Sequence, residues 1–566
     1  MAITVAEALA EGMCRHGIRE IFGQSVPSAL LLAAERRGIR QISYRTENAG
    51  GAMADGYARV AHRPVVTTAQ NGPGAALLVP PLAEALKAST PVVAIVQEVP
   101  VGQRDRNAFQ ELDHHALFAA CTKWRGTLDD PGRADDYLDM AFIAATAGRP
   151  GPVALLVPKD VLTQEAIPQR PRTAALDRVP LDRPRPSADA VRTAADILLA
   201  ARRPLVVAGG GVHGSQATAE LGRLQELAAL PVATTVMGKG ALAEDGPLSA
   251  GVIGYFMGER GMAHGLREWL SDVDAVLLVG TRTNENGTDG WRALPERARY
   301  IHLDVDPGEV GRNYESLRLV GDARAGLADL TAELGSRDLA RREEGRAELV
   351  HALSASRTGF AERTADVRGS AASPIRPERI MAEIDRVITD ETVVVADASY
   401  SSIWVANYLR ARIAGQRFIT PRGIAGLGWG LPMALGVKAA RPHSPVICVS
   451  GDGGFAHVWS ELDTAVRERL PVVLMVLNNA VLGYQKHAEV RQFGKATSAV
   501  DLRHVDHVAI ARACGAIGET VTDPAELARH LPKALAEELP VLLDVHTDPE
   551  AYPPVTDWDG DTRLPD

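Results

Sequence analysis

Cysteine is scarce in this chain, and long apolar runs and a strong net charge are missing. The four cysteines (Cys14, Cys121, Cys448 and Cys514) are scattered, so they form neither a metal-ligand spacing nor a disulfide framework. We expect them to be core residues of a protein in a reducing cytoplasm. No run of about 18 apolar residues occurs and the N-terminus shows no signal-peptide pattern, which argues against a membrane protein. A net charge of -10 argues against a nucleic-acid-binding surface.

Strand-like apolar runs alternate with helical stretches along the chain, which predicts an α/β fold with parallel sheets. A chain of 566 residues is too long for one core, so we expect several domains. A Pro- and Arg-rich stretch at 163–186 and a polar, initially helical stretch at 336–373 are typical of linkers. The acidic, Pro-rich segment from Ala551 onward is expected to be mobile. The predicted doubly wound domains are 1–165, 187–335 and 373–550.

A glycine-rich turn between two apolar runs is the most informative motif. The predicted order is a strand at 445–450, the turn Gly451, Asp452, Gly453, Gly454, a helix at 455–470, a strand at 471–477 and the pair Asn478, Asn479. In a right-handed βαβ unit the carboxyl ends of both strands lie together, so Asp452 and Asn479 should converge. Two hard oxygen ligands at a helix start suit a Mg²⁺ ion carrying a diphosphate. An ordinary strand–helix turn with a capping asparagine is the structural alternative.

A second candidate site residue is a carboxylate at a strand–helix junction of the first domain. Residues 39–44 are predicted to be a strand and residues 48–60 a helix, with Glu47 at the junction. A purely structural interpretation is that Thr46 caps the helix and Glu47 favours its positive end. From the residues alone, both interpretations of Glu47 stay open.

The Gly-Asp-Gly turn followed by the Asn pair resembles the cofactor-binding signature of thiamine diphosphate enzymes. The resemblance implies pyrimidine-binding, central and diphosphate-binding domains, in that order along the chain. It also implies that Asp452, Asn479 and the backbone carbonyl of Val481 hold the metal. The segment from Arg45 to Arg59 resembles the one that carries the family's activating glutamate, so Glu47 would contact the aminopyrimidine ring and support its proton transfer.

The resemblance assigns further residues to the site. Gln110 would lie near the reacting centre, and Leu427 would push the cofactor into a bent conformation. Backbone groups of Ala425 and Leu427 would bind the aminopyrimidine, and Ser399, Tyr400 and Ser401 would contact the diphosphate. Because glutamate and metal sites of the family come from different subunits, the resemblance implies a homodimer with shared active sites, or a tetramer of such dimers.

Further segments, among them Phe22-Gly23, Asn71 to Gly74, Ala108 to Glu111 and Gly428 to Pro432, resemble those of the acetolactate synthase large subunit. The chain departs from that pattern at the expected substrate positions. Tyr484 and Ala488 stand where Met and Trp are usual. Asn286 replaces an arginine that holds the acceptor's carboxylate, and an amide cannot form that charged bidentate pair. Tyr255 and Phe256 replace a Met-His pair near the flavin. FAD binding stays open, through Gly210, Gly211, Gly280 and Arg282.

We therefore expect an enzyme, a thiamine diphosphate- and Mg²⁺-dependent transferase or lyase that decarboxylates a 2-oxo acid and then forms a C–C bond. The alternatives are a decarboxylase or lyase that does not ligate, a nucleotide-dependent dehydrogenase, and a silent regulatory relative. The glycines at 209, 210, 211 and 214 do not form a Gly-x-Gly-x-x-Gly fingerprint, which argues against the dehydrogenase. The adjacent His114 and His115, and also His457 and His487, are candidate proton-transfer residues or ordinary packing histidines.

Overall fold

The structure, a computed structural model, describes residues 3–167 and 172–560. Met1 and Ala2, part of the predicted first linker (168–171) and the end of the acidic tail (561–566) lie outside the described residues. Three six-stranded sheets dominate, and all neighbouring strands within each of them run parallel, with helices packed on the faces. The predicted α/β class with three parallel-sheet domains is confirmed. No helix of the described ranges is long and apolar enough to cross a membrane.

The first sheet has the strand order β3-β2-β4-β5-β7-β6 once its elements are numbered along the chain. The strands are β1 Ile3–Thr4, β2 Glu20–Phe22, β3 Arg40–Ile42, β4 Val65–Ala69, β5 Val92–Glu98, β6 Trp124–Thr127, β7 Val153–Pro158 and β8 Glu165–Ala166. The helices are α1 Val5–Arg15, α2 Ser28–Arg36, α3 Glu47–Ala61, α4 Pro73–Ala88, α5 His114–Leu117 and α6 Ala134–Thr146. Strands β4 and β7 are buried along their whole length, which explains their apolar composition. Strands β1 and β8 form a separate antiparallel pair.

The central sheet has the order β11-β10-β9-β12-β13-β14. Its strands are β9 Pro204–Ala208, β10 Val232–Thr234, β11 Ser249–Val252, β12 Ala275–Val279, β13 Arg299–Asp304 and β14 Ser316–Val320. Its helices are α7 Ala188–Ala200, α8 Gly210–Gly214, α9 Thr218–Leu227, α10 Arg267–Ser271, α11 Glu285–Thr288 and α12 Ala323–Gly335. The order reverses at β9 and β12, so the loops after these two strands face a crevice.

The polar stretch after the central sheet is more helical than predicted. It forms α13 Ala340–Glu344, α14 Arg346–Arg363 and α15 Ala365–Arg368. We expected helix only in its first part, but Leu353 and Phe360 are buried. Burial of these side chains holds the helical conformation beyond the charged segment.

The third sheet repeats the plan of the first, with the order β16-β15-β17-β18-β20-β19. Its strands are β15 Val393–Ala396, β16 Phe418–Ile419, β17 Val446–Gly451, β18 Val473–Asn478, β19 Ile517–Val521 and β20 Val541–His546. Its helices are α16 Pro377–Val387, α17 Tyr400–Tyr408, α18 Gly430–Ala440, α19 Asp452–Phe455, α20 Glu461–Arg467, α21 Gly483–Phe493, α22 His507–Ala513 and α23 Pro524–Ala534.

The acidic segment after the third sheet is packed, not mobile, up to residue 560. Ala551, Val555 and Trp558 are buried. The Trp558 ring lies 5.5 Å from the Tyr400 ring and 5.5 Å from the Tyr484 ring. The expectation of a mobile tail was wrong for residues 551–560, because composition alone did not show that its aromatic side chains have a pocket to fill.

Helices α3 and α18 join the first and third domains in direct backbone contact. A Cβ atom added at Gly436 would lie 1.9 Å from the Met53 carbonyl oxygen, and one at Gly56 would lie 2.3 Å from the Met433 carbonyl oxygen. Each glycine thus admits the backbone of the opposite helix, as small residues do at close helix crossings. Buried side chains from both domains surround the crossing and form one continuous core.

We predict that Gly436→Ala lowers the thermal stability of the protein and loosens the contact between the first and third domains. The added methyl group forces the two helices apart, and overpacking of this kind costs roughly 1–3 kcal/mol. Differential scanning fluorimetry at a fixed scan rate measures the effect. Gly222→Ala in α9 is the matched control, because a Cβ there meets only Leu242 at 3.6 Å and should be neutral or stabilising. Equal melting temperatures for both variants would contradict the prediction.

Candidate active site

The carboxyl ends of β17 and β18 carry the polar residues of the motif. The two strands are parallel neighbours, with Gly451 opposite Leu477. The amide of Gly453 donates to Asp452 Oδ1 at 2.9 Å, and the amide of Ala480 donates to Asp452 Oδ2 at 2.7 Å. The second bond ties the glycine-rich turn to the loop that carries Asn479. The structure therefore brings together the two loops that the motif predicted to converge.

The helix after the motif differs from the prediction. The structure has two short helices, α19 and α20, in place of one continuous helix at 455–470. The Glu461 carboxylate at the start of α20 accepts hydrogen bonds from the amides of Arg45 (3.1 Å) and Thr46 (3.3 Å) in the first domain. This contact between domains sets the position of α20, which periodicity within one segment could not show.

The Asp452 carboxylate is suited to a cation. Burial raises the pKa of Asp452, while the amides of Ala480 and Gly453 act in the opposite direction. A desolvated carboxylate gains from a metal ion that offsets the cost of its burial. A Cβ placed on Gly451 would meet no atom within 4 Å apart from its own chain neighbours, so there is open space at the start of the turn. The donor set and this space fit a Mg²⁺ ion and a diphosphate.

The two asparagines of the motif have different surroundings. Asn478 is buried, and its amide donates to Asp544 at 2.9 Å and lies 3.3 Å from His507 Nδ1. Asn479 is half-buried, and its side-chain oxygen accepts from the Val481 amide at 3.3 Å. Asn478 thus anchors the loop within the domain, and Asn479 and Val481 form the turn beside Asp452. Sequence reasoning missed the anchoring residues His507 and Asp544, which no local motif marks.

Asp397 links three loops of the third domain, a function that the sequence did not reveal. Its carboxylate accepts hydrogen bonds from the amides of Ala398 (2.8 Å), Gly428 (3.1 Å) and Gly430 (3.3 Å) and from the Ser450 hydroxyl (2.9 Å). Burial raises the pKa of Asp397, and these bonds partly offset that effect. The loop after β15, the loop before α18 and the end of β17 are therefore fixed relative to one another.

The three residues predicted to contact a diphosphate lie at the start of α17. Ser399, the residue just before the helix, has φ of 64°, a strained backbone conformation for serine. The Tyr400 hydroxyl is hydrogen-bonded to His487 Nδ1, and the Ser401 side chain is buried. The amides of the first helical turn have no partners within the helix and point toward the helix start. The Tyr400 hydroxyl is thus already engaged, whereas the backbone amides of this turn are donors that suit an anion.

The loop before α18 is hydrogen-bonded to the first domain. The Glu84 carboxylate accepts from the amides of Gly423 (2.8 Å), Ile424 (2.6 Å) and Ala425 (3.3 Å). Ala425 has φ of 61°, an unfavourable conformation for alanine that these bonds maintain. Leu427 is 39% exposed, so its apolar side chain is accessible to a bound molecule.

Glu47 is the first residue of α3 and lies where the first and third domains meet. The Thr46 side chain caps the helix through the Ala49 amide, as expected. Next to Glu47, the Trp429 indole donates to the Asn48 side chain at 3.2 Å. A Cβ on Gly74 would lie 2.9 Å from the Glu47 carboxylate, so the glycine makes room for it. One chain therefore places the helix that starts at Glu47 directly against the residues that follow Leu427.

Gln110 lies in a loop that His114 supports. Gln110 has φ of 61°, and its side-chain oxygen accepts a hydrogen bond from the Gln70 amide. The buried His114 accepts from the Gly72 amide at 2.8 Å and lies 2.7 Å from the Glu98 carboxylate through its other ring nitrogen. Both nitrogens are thus engaged in shaping the loop, while the neighbouring His115 is exposed.

A cavity lies between the central domain and the other two domains. It is lined by the glycine turns after β9 and β12, including Gly210, Gly211 and Gly280, and by Arg282. The Gly211 amide donates to the Gly280 carbonyl at 2.9 Å, and a Cβ on Gly211 would lie 2.7 Å from the Gly280 Cα. The turns therefore approach each other at the crevice that the strand order creates.

Comparisons with known proteins agree with this arrangement. Family models described as thiamine pyrophosphate enzyme, N-terminal TPP binding domain, central domain and C-terminal TPP binding domain match residues 3–117, 191–330 and 397–545. A probable acetolactate synthase large subunit of Methanocaldococcus jannaschii is 32% identical over 97% of this chain and 93% of its own length.

Two further relatives extend the comparison. An acetolactate synthase of Arthrospira platensis is 31% identical, over 98% of this chain and 96% of its own length. A chloroplastic acetolactate synthase of Arabidopsis thaliana is 30% identical, over 95% of this chain and 81% of its own length. The predicted resemblance is confirmed: the chain belongs to the thiamine pyrophosphate enzymes and is a thiamine diphosphate-dependent enzyme related to acetolactate synthase large subunits.

Proposed function

We propose that the protein is a carboligase that decarboxylates a 2-oxo acid and joins the remaining acyl unit to a second carbonyl compound. The observation that carries the proposal is the convergence of two strand-end loops of the third domain, where the Ala480 amide beside Asn479 donates to the Asp452 carboxylate at 2.7 Å. The names of the relatives, acetolactate synthases along nearly the full chain, support the same reaction class.

The residues of the site have distinct tasks in this proposal. Asp452, Asn479 and the Val481 carbonyl would hold Mg²⁺, and the first-turn amides of α17 would bind the diphosphate. Thiamine diphosphate, when bound, supplies the electron sink that makes decarboxylation feasible. Glu47 would hold and release a proton at the aminopyrimidine, and the exposed Leu427 side chain would press against the bound cofactor. Gln110 would orient the substrate from its strained loop.

We also propose that the cavity of the central domain binds FAD. The glycine turns at Gly210, Gly211 and Gly280 allow a close backbone approach, and Arg282 can pair with a diphosphate. Burial lowers the pKa of Arg282, so an anion at this place would relieve an energetic cost.

We further propose that the protein forms a homodimer, or a tetramer of such dimers, in the cytoplasm, as the resemblance implies. The exposed apolar side chains of Phe109 and Leu112 beside Gln110 support contact with a second chain.

Pyruvate turnover by the purified protein with thiamine diphosphate and Mg²⁺ tests the reaction class. Acetolactate, acetaldehyde and CO₂ should be measured separately. Acetolactate together with CO₂ is the result expected of the carboligase, and addition of other 2-oxo acids and aldehydes extends the search for the acceptor. Acetaldehyde and CO₂ without any ligation product would favour the non-ligating decarboxylase instead.

We predict that Glu47→Gln reduces turnover by about 10²–10⁴-fold, because the amide cannot exchange a proton with the cofactor. Steady-state CO₂ release measures the loss, and calorimetric titration with thiamine diphosphate shows whether binding persists. Glu35→Gln is the matched control, since Glu35 is an exposed glutamate on α2 of the same domain. Full turnover by the Glu47 variant would rule out the proposed role.

We predict that Asp452→Asn raises the Mg²⁺ concentration needed for half-maximal activity by about 10–100-fold, because the site loses its charged oxygen. Titration of the metal-free protein with Mg²⁺ at saturating thiamine diphosphate provides the measurement. Asp390→Asn, at an exposed aspartate of the third domain, is the control. An unchanged Mg²⁺ requirement would place the metal elsewhere.

We predict that the purified protein carries FAD, visible in its absorption spectrum, and that Arg282→Ala lowers the bound fraction. Acid release of the flavin and its quantification against protein concentration measure that fraction after reconstitution. Protein that stays colourless and fails to bind added FAD would contradict this part of the proposal, without consequence for the thiamine diphosphate site.

A further inference from the structure

A cleft of the third domain lies at the amino ends of its strands, at the opposite edge of the sheet from Asp452. It is formed where the parallel neighbours β16, β15 and β17 begin. Its lining residues are 390–393, 413–417, 441, 443 and 444. Gln416 joins two of these segments, because its side chain donates to the Thr389 carbonyl at 2.8 Å and accepts from the Arg412 amide at 2.7 Å. The cleft is therefore separate from the polar strand ends of the candidate active site.

Three positively charged residues, which we call the basic cluster, lie in or next to this cleft. Arg417, which is 8% exposed, and the half-buried Arg441 both line it. Their Nη2 atoms donate to carbonyls in the last turn of α3, at residues 59–60, each at 3.2 Å. Lys438 is buried, and its Nζ donates at 3.0 Å to the carbonyl of Ser444, which also lines the cleft. The basic cluster thus joins the end of α3 to the third domain.

The positive charge of the basic cluster is not balanced by carboxylates. Burial lowers the pKa of Arg417 to about 9, and neighbouring arginines act in the same direction. Burial also lowers the pKa of Arg441 and that of Lys438, and no carboxylate acts against it. The exposed Asp390 and Glu391 at the rim of the cleft therefore do not offset these charges. Cations buried without a partner charge carry an energetic cost that a bound anion would relieve.

Two helix ends offset only part of this charge. Helices α3 and α18 end beside the basic cluster, at Ala61 and Ala440. A helix C-terminus carries roughly -0.5 of an elementary charge, so two ends supply roughly -1 against three full positive charges. Burial and the positive charges of Arg417 and Arg441 lower the pKa of His62, the residue after α3, to about 4. A phosphate group carries about -1.5 to -2 at neutral pH, which matches the remaining positive charge.

We propose that this cleft binds the phosphate group of a small molecule, either inorganic phosphate or a phosphate monoester. Nη1 of Arg417 and both Nε and Nη1 of Arg441 donate to nothing in the part of the chain that the structure describes, and these atoms are not closed to solvent. Guanidinium donors match phosphate oxygens in charge and geometry. Because both arginines already bind α3, a phosphate here would hold that helix against the third domain. This inference goes beyond the proposed carboligase function and does not depend on it.

Titration with inorganic phosphate tests the inference. The protein is first saturated with thiamine diphosphate, Mg²⁺ and FAD, so that the cofactor sites are occupied. Calorimetry should then show phosphate binding with a Kd of about 1 mM or lower. Arg441→Gln should weaken binding by about 10-fold or more, because a hydrogen bond to a charged group is lost, and Arg441→Lys should recover part of the affinity. Absence of binding to the unsubstituted protein would leave the arginines as partners of a helix end only and overturn the inference.

Arg529→Gln is the matched control, since it removes the same charge from an exposed position on α23 of the third domain. It should leave the phosphate affinity unchanged. Equal weakening by both glutamine variants would mean that net charge alone governs binding, which overturns the inference. Arg417 also lines the central cavity, whereas Arg441 does not. Loss of bound FAD from Arg441→Gln together with phosphate binding would assign the basic cluster to the dinucleotide cavity and overturn the inference.

Two further measurements identify the ligand and exclude a general salt effect. Tighter binding of glycerol 3-phosphate than of inorganic phosphate would identify the ligand as a monoester, and the reverse order would identify free phosphate. At constant ionic strength, phosphate should raise the melting temperature of the unsubstituted protein and of Arg529→Gln more than that of Arg441→Gln, because a ligand of the folded state stabilises it. An equal rise for all three proteins would be the general effect of a kosmotropic salt and would overturn the inference.

Discussion

The direct backbone contact between α3 and α18 is the constraint on which the rest of the site depends. Gly56 and Gly436 bring the two helices together until each backbone fills the space that a side chain would occupy. Glu47 begins one helix and Leu427 lies just before the other, so the crossing fixes how the two domains of one chain present these residues. Domains joined in this way gain the precision of a helix pair, which a contact between loops could not supply.

Several buried carboxylates around this crossing accept hydrogen bonds from backbone amides. Glu84 holds residues 423–425, Glu461 holds residues 45 and 46, and Asp397 holds the loops at 428–430 and 450. Each carboxylate satisfies amides that have no partner in a helix or sheet, and each spans a long sequence separation. The desolvation of these groups is costly, and the cost is balanced by several hydrogen bonds to one charge. The loops of the site therefore have shapes that their own sequences do not determine.

The sequence predicted the fold class because the apolar strands and the strand–helix alternation are local features. It also predicted the convergence of Asp452 with the loop of Asn479, since parallel strands end at the same edge of a sheet. The break between α19 and α20, the buried Trp558 and the bond of the Tyr400 hydroxyl to His487 were missed. Each of these depends on a partner that is distant along the chain, and neither periodicity nor propensity contains information about such partners.

The sequence separation of 339 residues between Glu84 and Gly423 has a consequence for synthesis on the ribosome. At roughly 5–20 residues per second, Glu84 is synthesised about 20–70 s before the segment whose amides it binds. During that interval the face of α3 around Met53 has no α18 to cover it, and its apolar side chains are open to other chains. The nascent protein must therefore pass through a stage that favours chaperone binding, and the first and third domains of the chain are joined only when translation is nearly complete.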